Sequence, residues 1–276
     1  MSESAGYEYG ATILKATNVG LTLGGNEILR DVDIEVRDIR RPGRVTGQVA
    51  GLLGPSGIGK TRFFRILAGL DAPTVGSVTI GPRGTPVERG MVGVVAQRYP
   101  LFPHRTVLGN LTVAGRQSGL TGGAAKEKAW SFLKRFRLED CARHYPAQLS
   151  GGQQQRVAIA QQFMCSEHYL LMDEPFSGLD PTAVERVSEL ISEMASLHEL
   201  NTIIVVTHDI AAAIEVADTL WLMGRDRDAA GRIVPGARIQ AEYNLIERGL
   251  AWRKGITTTA EFMEVMREIL ARFPSL

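Results

Sequence analysis

Cysteine is nearly absent. The 276 residues hold two, Cys141 and Cys165, at a spacing that suits no metal. They speak for structural thiols in a reducing compartment. Long hydrophobic runs are missing too: no apolar stretch approaches the roughly 20 residues of a membrane-spanning helix. Work at a membrane would therefore go through a partner. Residues 1–10 carry two glutamates and no apolar run, unlike a secretory signal. An excess of charge of one sign is also lacking. With 31 basic and 30 acidic residues the formal net charge is +1, so there is no overall basic field to hold nucleic acid or anionic lipid. What remains is a globular balance, 44% hydrophobic and 22% charged, in a chain long enough for a full core and one or two domains.

The organising stretch is Gly54-Pro55-Ser56-Gly57-Ile58-Gly59-Lys60-Thr61, which fits G-x-x-x-x-G-K-[ST]. Residues 49–53 before it form a short apolar run expected as a buried strand. Phe63, Ile66, Leu67 and Leu70 after it fall on one helical face. Strand, glycine loop and helix is the arrangement a phosphate cradle requires. Small residues let consecutive backbone N–H groups turn around phosphate oxygens, and the helix N-terminus adds partial positive charge. Lys60 is expected to reach the β- and γ-phosphates, and the Thr61 hydroxyl to ligate Mg²⁺.

Residues 13–16, 18–23 and 28–36 are expected as short strands, with Gly24-Gly25-Asn26 as the turn between two of them. Residues 37–47 are polar and arginine-rich and carry Pro42-Gly43. A solvated hairpin tip is expected there in preference to a face for lipid headgroups. Strands are expected at 76–80 and 91–95, the second leading to Gln97. Helical signals then dominate from Val107 to Leu138, interrupted at 119–123. Leu149-Ser150-Gly151-Gly152-Gln153 opens a further helix, with Ser150 suited to its N-cap. Residues 169–172 make a buried-strand run ending in Asp173-Glu174-Pro175. A helix follows from about Pro181, and residues 203–206 form a strand ending in Thr207-His208-Asp209.

Strands alternating with helices after a phosphate loop imply a largely parallel sheet with helices on both faces. Ligands of such sheets bind beyond the carboxyl ends of the strands. The loop, Gln97, Asp173, Glu174 and His208 each follow an expected strand, so they should converge. Asp173 can hold Mg²⁺ or its water, and Glu174 is placed to take a proton from an attacking water. His208 differs from His104, His144, His168 and His198 in following a core strand whose end faces that crevice, where it could contact a γ-phosphate. Past Met223 the character changes. Residues 225–228 are a charged turn, 232–239 suggest a small hairpin, and a last helix begins near Thr258, spaced from Glu261 as in a capping box. Its apolar face of Phe262, Val265, Met266, Ile269, Leu270 and Phe273 is expected to pack on its own domain.

In this order, the phosphate loop, Gln97, the 149–153 run, Asp173 with Glu174, Ser177-Gly178-Leu179-Asp180 and His208 resemble the ATP-binding subunits of ABC transporters, over about residues 13–224. The resemblance implies an α/β fold: a P-loop NTPase core with a mostly parallel sheet, an N-terminal antiparallel β subdomain and an inserted helical subdomain at about 100–165. Residues 1–224 would be the ABC ATPase domain, and 225–276 a short C-terminal extension with a hairpin and an amphipathic helix. It implies ATP and Mg²⁺ as ligands, with Glu174, His208, Gln97 and Lys60 as the catalytic set. Thr61, Gln97 and Asp173 become metal contacts, and Gln97 also a relay to the membrane partner. It further implies a head-to-tail dimer, with a second copy or a paralogous subunit. There Ser150, Gly151, Gly152 and Gln153 close over the partner's ATP and Asp180 lies at the seam. Two positions depart from the family pattern. Leu23 stands where an aromatic residue usually stacks on adenine, and Arg62 where a small hydroxyl residue usually touches the α-phosphate.

Gln97, Leu101-Phe102-Pro103-His104, Thr106-Val107 and Asn110-Leu111 resemble importer ATPases, in which a groove after the glutamine receives a helix of the membrane subunit. Leu101 and Phe102 are candidates for that contact, or for core packing. The run from Thr207 to Asp218 is similar to the nitrate, sulfonate and taurine importer group. The expected partners are integral membrane permease subunits and a periplasmic or extracellular solute-binding protein, with no nucleic acid. The expected place is the cytoplasmic face of the inner membrane, held peripherally by the permease. The alternatives are the ATPase of an exporter or lipid-moving system, and a soluble ABC ATPase outside transport.

Overall fold

Two kinds of sheet meet in this chain. The structure is a computed structural model and describes residues 6–96, 100–165 and 168–276. β1 (Glu8–Leu23) and β2 (Asn26–Arg40) form a long antiparallel hairpin turned at Gly24 and Gly25, with φ of 55° and 81°. Both need the left-handed backbone that glycine adopts without a Cβ penalty. β3 (Gln48–Leu53) opens the second kind of sheet. β4 (Val75–Ile80) pairs with β1, and the two-residue β5 (Thr85–Pro86) closes that edge.

β6 (Gly93–Val95), β7 (Tyr169–Asp173), β8 (Thr202–Thr207) and β9 (Thr219–Arg227) join β3 in a parallel array ordered β9-β3-β8-β7-β6. β10 (Ile233–Asn244) returns antiparallel to β9 and meets β2 through one parallel pair, Ala237 with Leu29. The ten strands are thus one sheet, β5-β4-β1-β2-β10-β9-β3-β8-β7-β6. This is the expected class, a parallel core beside an antiparallel N-terminal section.

α1 (Lys60–Leu67) follows the glycine loop. α2 (Val107–Gln117), α3 (Gly122–Arg135) and α4 (Gly151–Cys165) make the inserted helical section, and α5 (Pro181–Ala195), α6 (Ile210–Val216) and α7 (Ala260–Arg272) complete the set. The side chains of Thr106, Thr121, Asp180, Asp209 and Thr259 each accept the backbone N–H three residues on, caps worth about 1 kcal/mol apiece.

Alternation sorts the central strands between cores. Leu170, Met172, Ile203 and Val205 face α2 to α5, with Leu111, Leu133, Val157, Phe163 and Ile191. Leu171, Ile204 and Val206 face the other way, onto Phe63, Phe64, Ile66 and Leu67 of α1 and onto Leu14, Leu29 and Val32 of the hairpin. Each such side chain contributes roughly 1.5–3 kcal/mol on burial, so the carboxyl ends of β3, β7 and β8 are held in fixed relation. Phe262, Val265 and Ile269 of α7 pack on Leu220, Leu222 and Tyr243, with Met266 and Phe273 beside them, while Leu270 of the expected apolar face is exposed.

Four local expectations change. β1 is one strand where two were expected: a register shift between Ala16 and Val19, with Asn18 at φ 48°, carries the pairing past the polar break. β2 continues to Arg40 because Asp38 and Ile39 stay buried, the Ile39 N–H donating to Gln48 Oε1 at 3.2 Å. The loop expected at 37–47 therefore shrinks to a tip, where Arg41 bridges Arg44 around Gly43 at φ 72°. The hairpin expected at 232–239 and the charged turn expected at 225–228 are together the longer β9–β10 pair, in which β9 runs to Arg227 and the turn falls at 228–232. Thr259 rather than Thr258 caps α7, since Thr258 ends a 3₁₀ turn (Ile256–Thr258), and the capping box with Glu261 does not form.

Candidate functional site

The glycines of the loop are fixed by their surroundings. A Cβ on Gly54 would lie 2.6 Å from the Met223 carbonyl oxygen, so β9 leaves no room for one. Gly57 and Gly59 have φ of 78° and 117°, and a Cβ on Gly59 would press on Leu29 at 3.1 Å. The backbone then turns directly into α1, with no acidic residue in its first turn to offset the positive end of the helix. Pro55, Ser56 and Thr61 complete the rim, Ser56 and Thr61 exposed to solvent.

Lys60 is buried, and its Nζ donates to the carbonyl oxygens of Gly54 and Pro55 at 2.7 and 3.1 Å. The same Nζ stands 4.0 Å from Glu174 Oε1. Burial pulls the ammonium below the usual lysine range, against the opposing pull of Glu174 and Asp173. Asp173 ends β7. Burial first, then the neighbouring Glu174 charge, lift its carboxyl above the usual range, while Lys60 and a hydrogen bond from Thr61 lower it. Asp173 Oδ1 is buried with no hydrogen-bond partner among the described residues. An orphaned carboxylate oxygen beside a threonine hydroxyl is a hard-donor pair that fits a Mg²⁺ ion completed by water and phosphate oxygens.

Glu174 is the hub. Its N–H donates to the Val206 carbonyl at 2.7 Å, and its φ of 51° is left-handed, a strained setting for a residue with a side chain. Its Oε2 receives the Thr207 hydroxyl at 3.2 Å and the His208 N–H at 3.3 Å, and lies 2.8 Å from His208 Nδ1. The structure thus brings together the loop, Lys60, Thr61, Asp173, Glu174 and His208 at the ends of β3, β7 and β8. Gln97 lies outside the described residues. Leu23 is 40% exposed at the hairpin end, a few residues from Ile28 and Leu29, which pack beside Gly59. Arg62 turns to Asp71, at 3.9 Å.

The 149–153 run forms a separate surface. Ser150 Oγ accepts the Gln153 N–H at 3.3 Å, and Gln153 Oε1 accepts the Ser150 N–H at 2.9 Å, a reciprocal cap on α4. A Cβ on Gly151 or Gly152 would meet nothing within 4 Å. Asp180 is exposed and caps α5 through the Ala183 N–H at 3.0 Å. Leu101 packs against the core of the helical section, and Phe102 lies edge-on to His104.

Sequence reasoning overlooked two residues that shape the site. Thr207 holds Glu174, and Gln155 donates to the Pro175 carbonyl at 2.6 Å, tying α4 to the loop after Glu174. Their nearness to the motifs was the available signal; the contacts themselves are tertiary.

A glycine loop between a parallel strand and a helix, with two acids at the end of β7 in the same parallel array, defines a P-loop α/β nucleotide cassette. The family model described as "ABC transporter" matches residues 45–177, and one described as "AAA domain, putative AbiEii toxin, Type IV TA system" matches 144–215. The "Sulfate/thiosulfate import ATP-binding protein CysA" of Escherichia coli (strain K12) is 38% identical over 223 residues, covering 77% of this chain and 58% of that protein. The chain thus matches little more than half the length of that relative. A "Probable amino-acid ABC transporter ATP-binding protein" of Haemophilus influenzae is 35% identical over 229 residues, covering 77% of this chain and 84% of that protein. A dimeric post-hydrolysis structure of the ATP-binding cassette MJ0796, bound to ADP and Pi, aligns at 27% identity and a TM-score of 0.67, over 84% of this chain and 99% of that one. The chain belongs to the ABC transporter family, with the fold of its ATP-binding cassettes.

Proposed function

We propose that this chain is the ATP-hydrolysing subunit of an importer, working as a head-to-tail dimer that drives a small solute through a separate membrane permease. The observation that carries the reading is the meeting of Lys60, Asp173, Glu174 and His208 at one mouth of the parallel sheet. In the proposed mechanism the loop N–H groups and Lys60 hold the triphosphate. The oxygens of Asp173 and Thr61, with Gln97, would hold Mg²⁺, which when bound would neutralise phosphate charge. Glu174 takes a proton from the attacking water, and His208 stands at the γ-phosphate. Leu23 covers adenine, and Arg62 borders the α-phosphate.

The dimer reading rests on glycines that nothing inside the chain requires. Gly151 and Gly152 open α4 without a positive φ, and a Cβ at either would meet nothing within 4 Å beyond the adjoining backbone. A close approach from outside explains them: Ser150, Gly151, Gly152 and Gln153 meet the nucleotide of the second subunit, with Asp180 at the seam. That subunit is a second copy or a paralogue.

Residues 1–224 are proposed as the ATPase unit and 225–276 as a C-terminal extension, although β9 runs across that boundary to Arg227 and β10 completes the sheet between β2 and β9. The proposed setting is the cytoplasmic face of the inner membrane, with a solute-binding protein as further partner and the nitrate, sulfonate and taurine importers as the proposed group. Among the described residues no helix is long and apolar enough to cross a membrane. Steady-state ATP hydrolysis by wild type and Glu174→Gln tests the reading: a loss of about 10²-fold or more supports it, and equal rates overturn it.

A further inference from the structure

The Glu174 carboxylate has two oxygens with different company. Oε2 is gripped by three groups, from Thr207 and His208, while Oε1 faces Lys60 at 4.0 Å. If Glu174 is the base, Oε1 is the oxygen left for the water's proton, and whatever pins Oε2 decides where Oε1 points. The partners of Oε2 differ in burial. The His208 side chain is 54% exposed, so water competes for its bond, whereas Thr207 is fully buried at the end of β8.

The Thr207 hydroxyl is also directional. Its oxygen accepts the Asp209 N–H at 3.1 Å, closing the turn that starts α6. That turn alone needs only the acceptor. The proton of the same hydroxyl is directed to Glu174 Oε2 at 3.2 Å. One side chain therefore joins the helix start that follows His208 to the carboxylate that would activate water. Glu174 needs such a brace because its left-handed backbone, at φ 51°, is not a conformation its own side chain favours.

We propose that Thr207 is a positioning residue for hydrolysis: its buried hydroxyl fixes Glu174 Oε2 and so aims Oε1 at the attacking water. The inference rests on the proposed ATPase function and adds to it a residue that acts only through Glu174. No proton is exchanged by Thr207. Removing its hydroxyl lets the carboxylate turn without emptying the phosphate cradle, so the loss falls on turnover and spares nucleotide binding.

The test is steady-state and single-turnover ATP hydrolysis with Mg²⁺ by the purified full chain, comparing Thr207→Val, Thr207→Ala and Thr207→Ser, each also with Glu174→Gln. Thermal unfolding is followed in parallel. The expected result is a kcat lowered about tenfold by valine and by alanine, with KM for ATP within about twofold, and kcat restored to within about threefold by serine. On Glu174→Gln, the same substitutions change the residual rate no further. Folded Thr207→Val with the kcat of wild type overturns the proposal. So does serine failing as badly as valine, or a full Thr207 effect persisting without the Glu174 carboxylate. Wild type whose rate is insensitive to Glu174→Gln overturns the function itself, an outcome distinct from these.

Discussion

The mouth of the sheet and the lip at the start of α4 both use glycine next to an expected phosphate, yet for opposite reasons. Gly54 is glycine because Met223 leaves no space, and Gly59 because the chain must turn left-handed at φ 117°. Gly151 and Gly152 face open space. The first surface is shaped by this subunit's own packing. The second, on the proposed dimer reading, is shaped by the neighbouring subunit. At Gly151 and Gly152 the proposed second subunit would supply the reason, and the contrast can be attacked from either side.

The largest expected effect lies at the mouth. Lys60→Ala removes the charge that bridges the loop carbonyls and Glu174, and turnover should fall roughly 10²- to 10³-fold in a steady-state assay. Gly54→Ala should destabilise the folded chain by about 1–3 kcal/mol, read by urea unfolding, because its Cβ would press into the backbone of β9. Gly152→Ala should behave otherwise. The isolated chain should lose no stability, while turnover drops about tenfold. Loss of stability in that variant would erase the distinction.

Asp218 extends the internally fixed class to the foot of β3, where its Oδ2 accepts the Val49 N–H at 2.7 Å. Burial lifts its carboxyl from 3.8 to about 7. The folded chain therefore holds this proton more tightly than the unfolded one. Its contribution is fully present below about 4 and is lost as pH rises to about 7. Asp218→Asn should flatten that part of the stability-versus-pH curve measured by urea unfolding. The smallest effect belongs to the exposed Leu23. Leu23→Tyr should lower KM for ATP about 2- to 10-fold if that side chain covers adenine, since stacking adds about 0.5–1.5 kcal/mol.

What the sequence made legible was whatever is local. The turn at Gly24 and Gly25, the strand–loop–helix around Lys60 and the acids ending β7 depend on residues a few positions apart, and each appears where expected. What escaped depends on distant partners. β1 crosses its polar break because β2 and β4 hold both sides, and β2 runs on because Gln48 supplies an acceptor to Ile39. β10 joins the two halves through Ala237, which no periodicity announces. At the site the residue types were readable. The left-handed Glu174 and the hydroxyl beside it were not, for they follow from how the ends of β7 and β8 lie together.

The lone Ala237–Leu29 bridge has one more consequence. Leu29 also packs beside Gly59, so the residue that stitches the two sheet halves is a neighbour of the phosphate loop. Among the described residues no other ladder pair joins β2 to β10, and the Arg30–Asp226 ion pair ties β2 to β9 nearby. The seam between the antiparallel arm and the parallel core thus lies directly against the phosphate loop, so the arm and the loop share one packing contact.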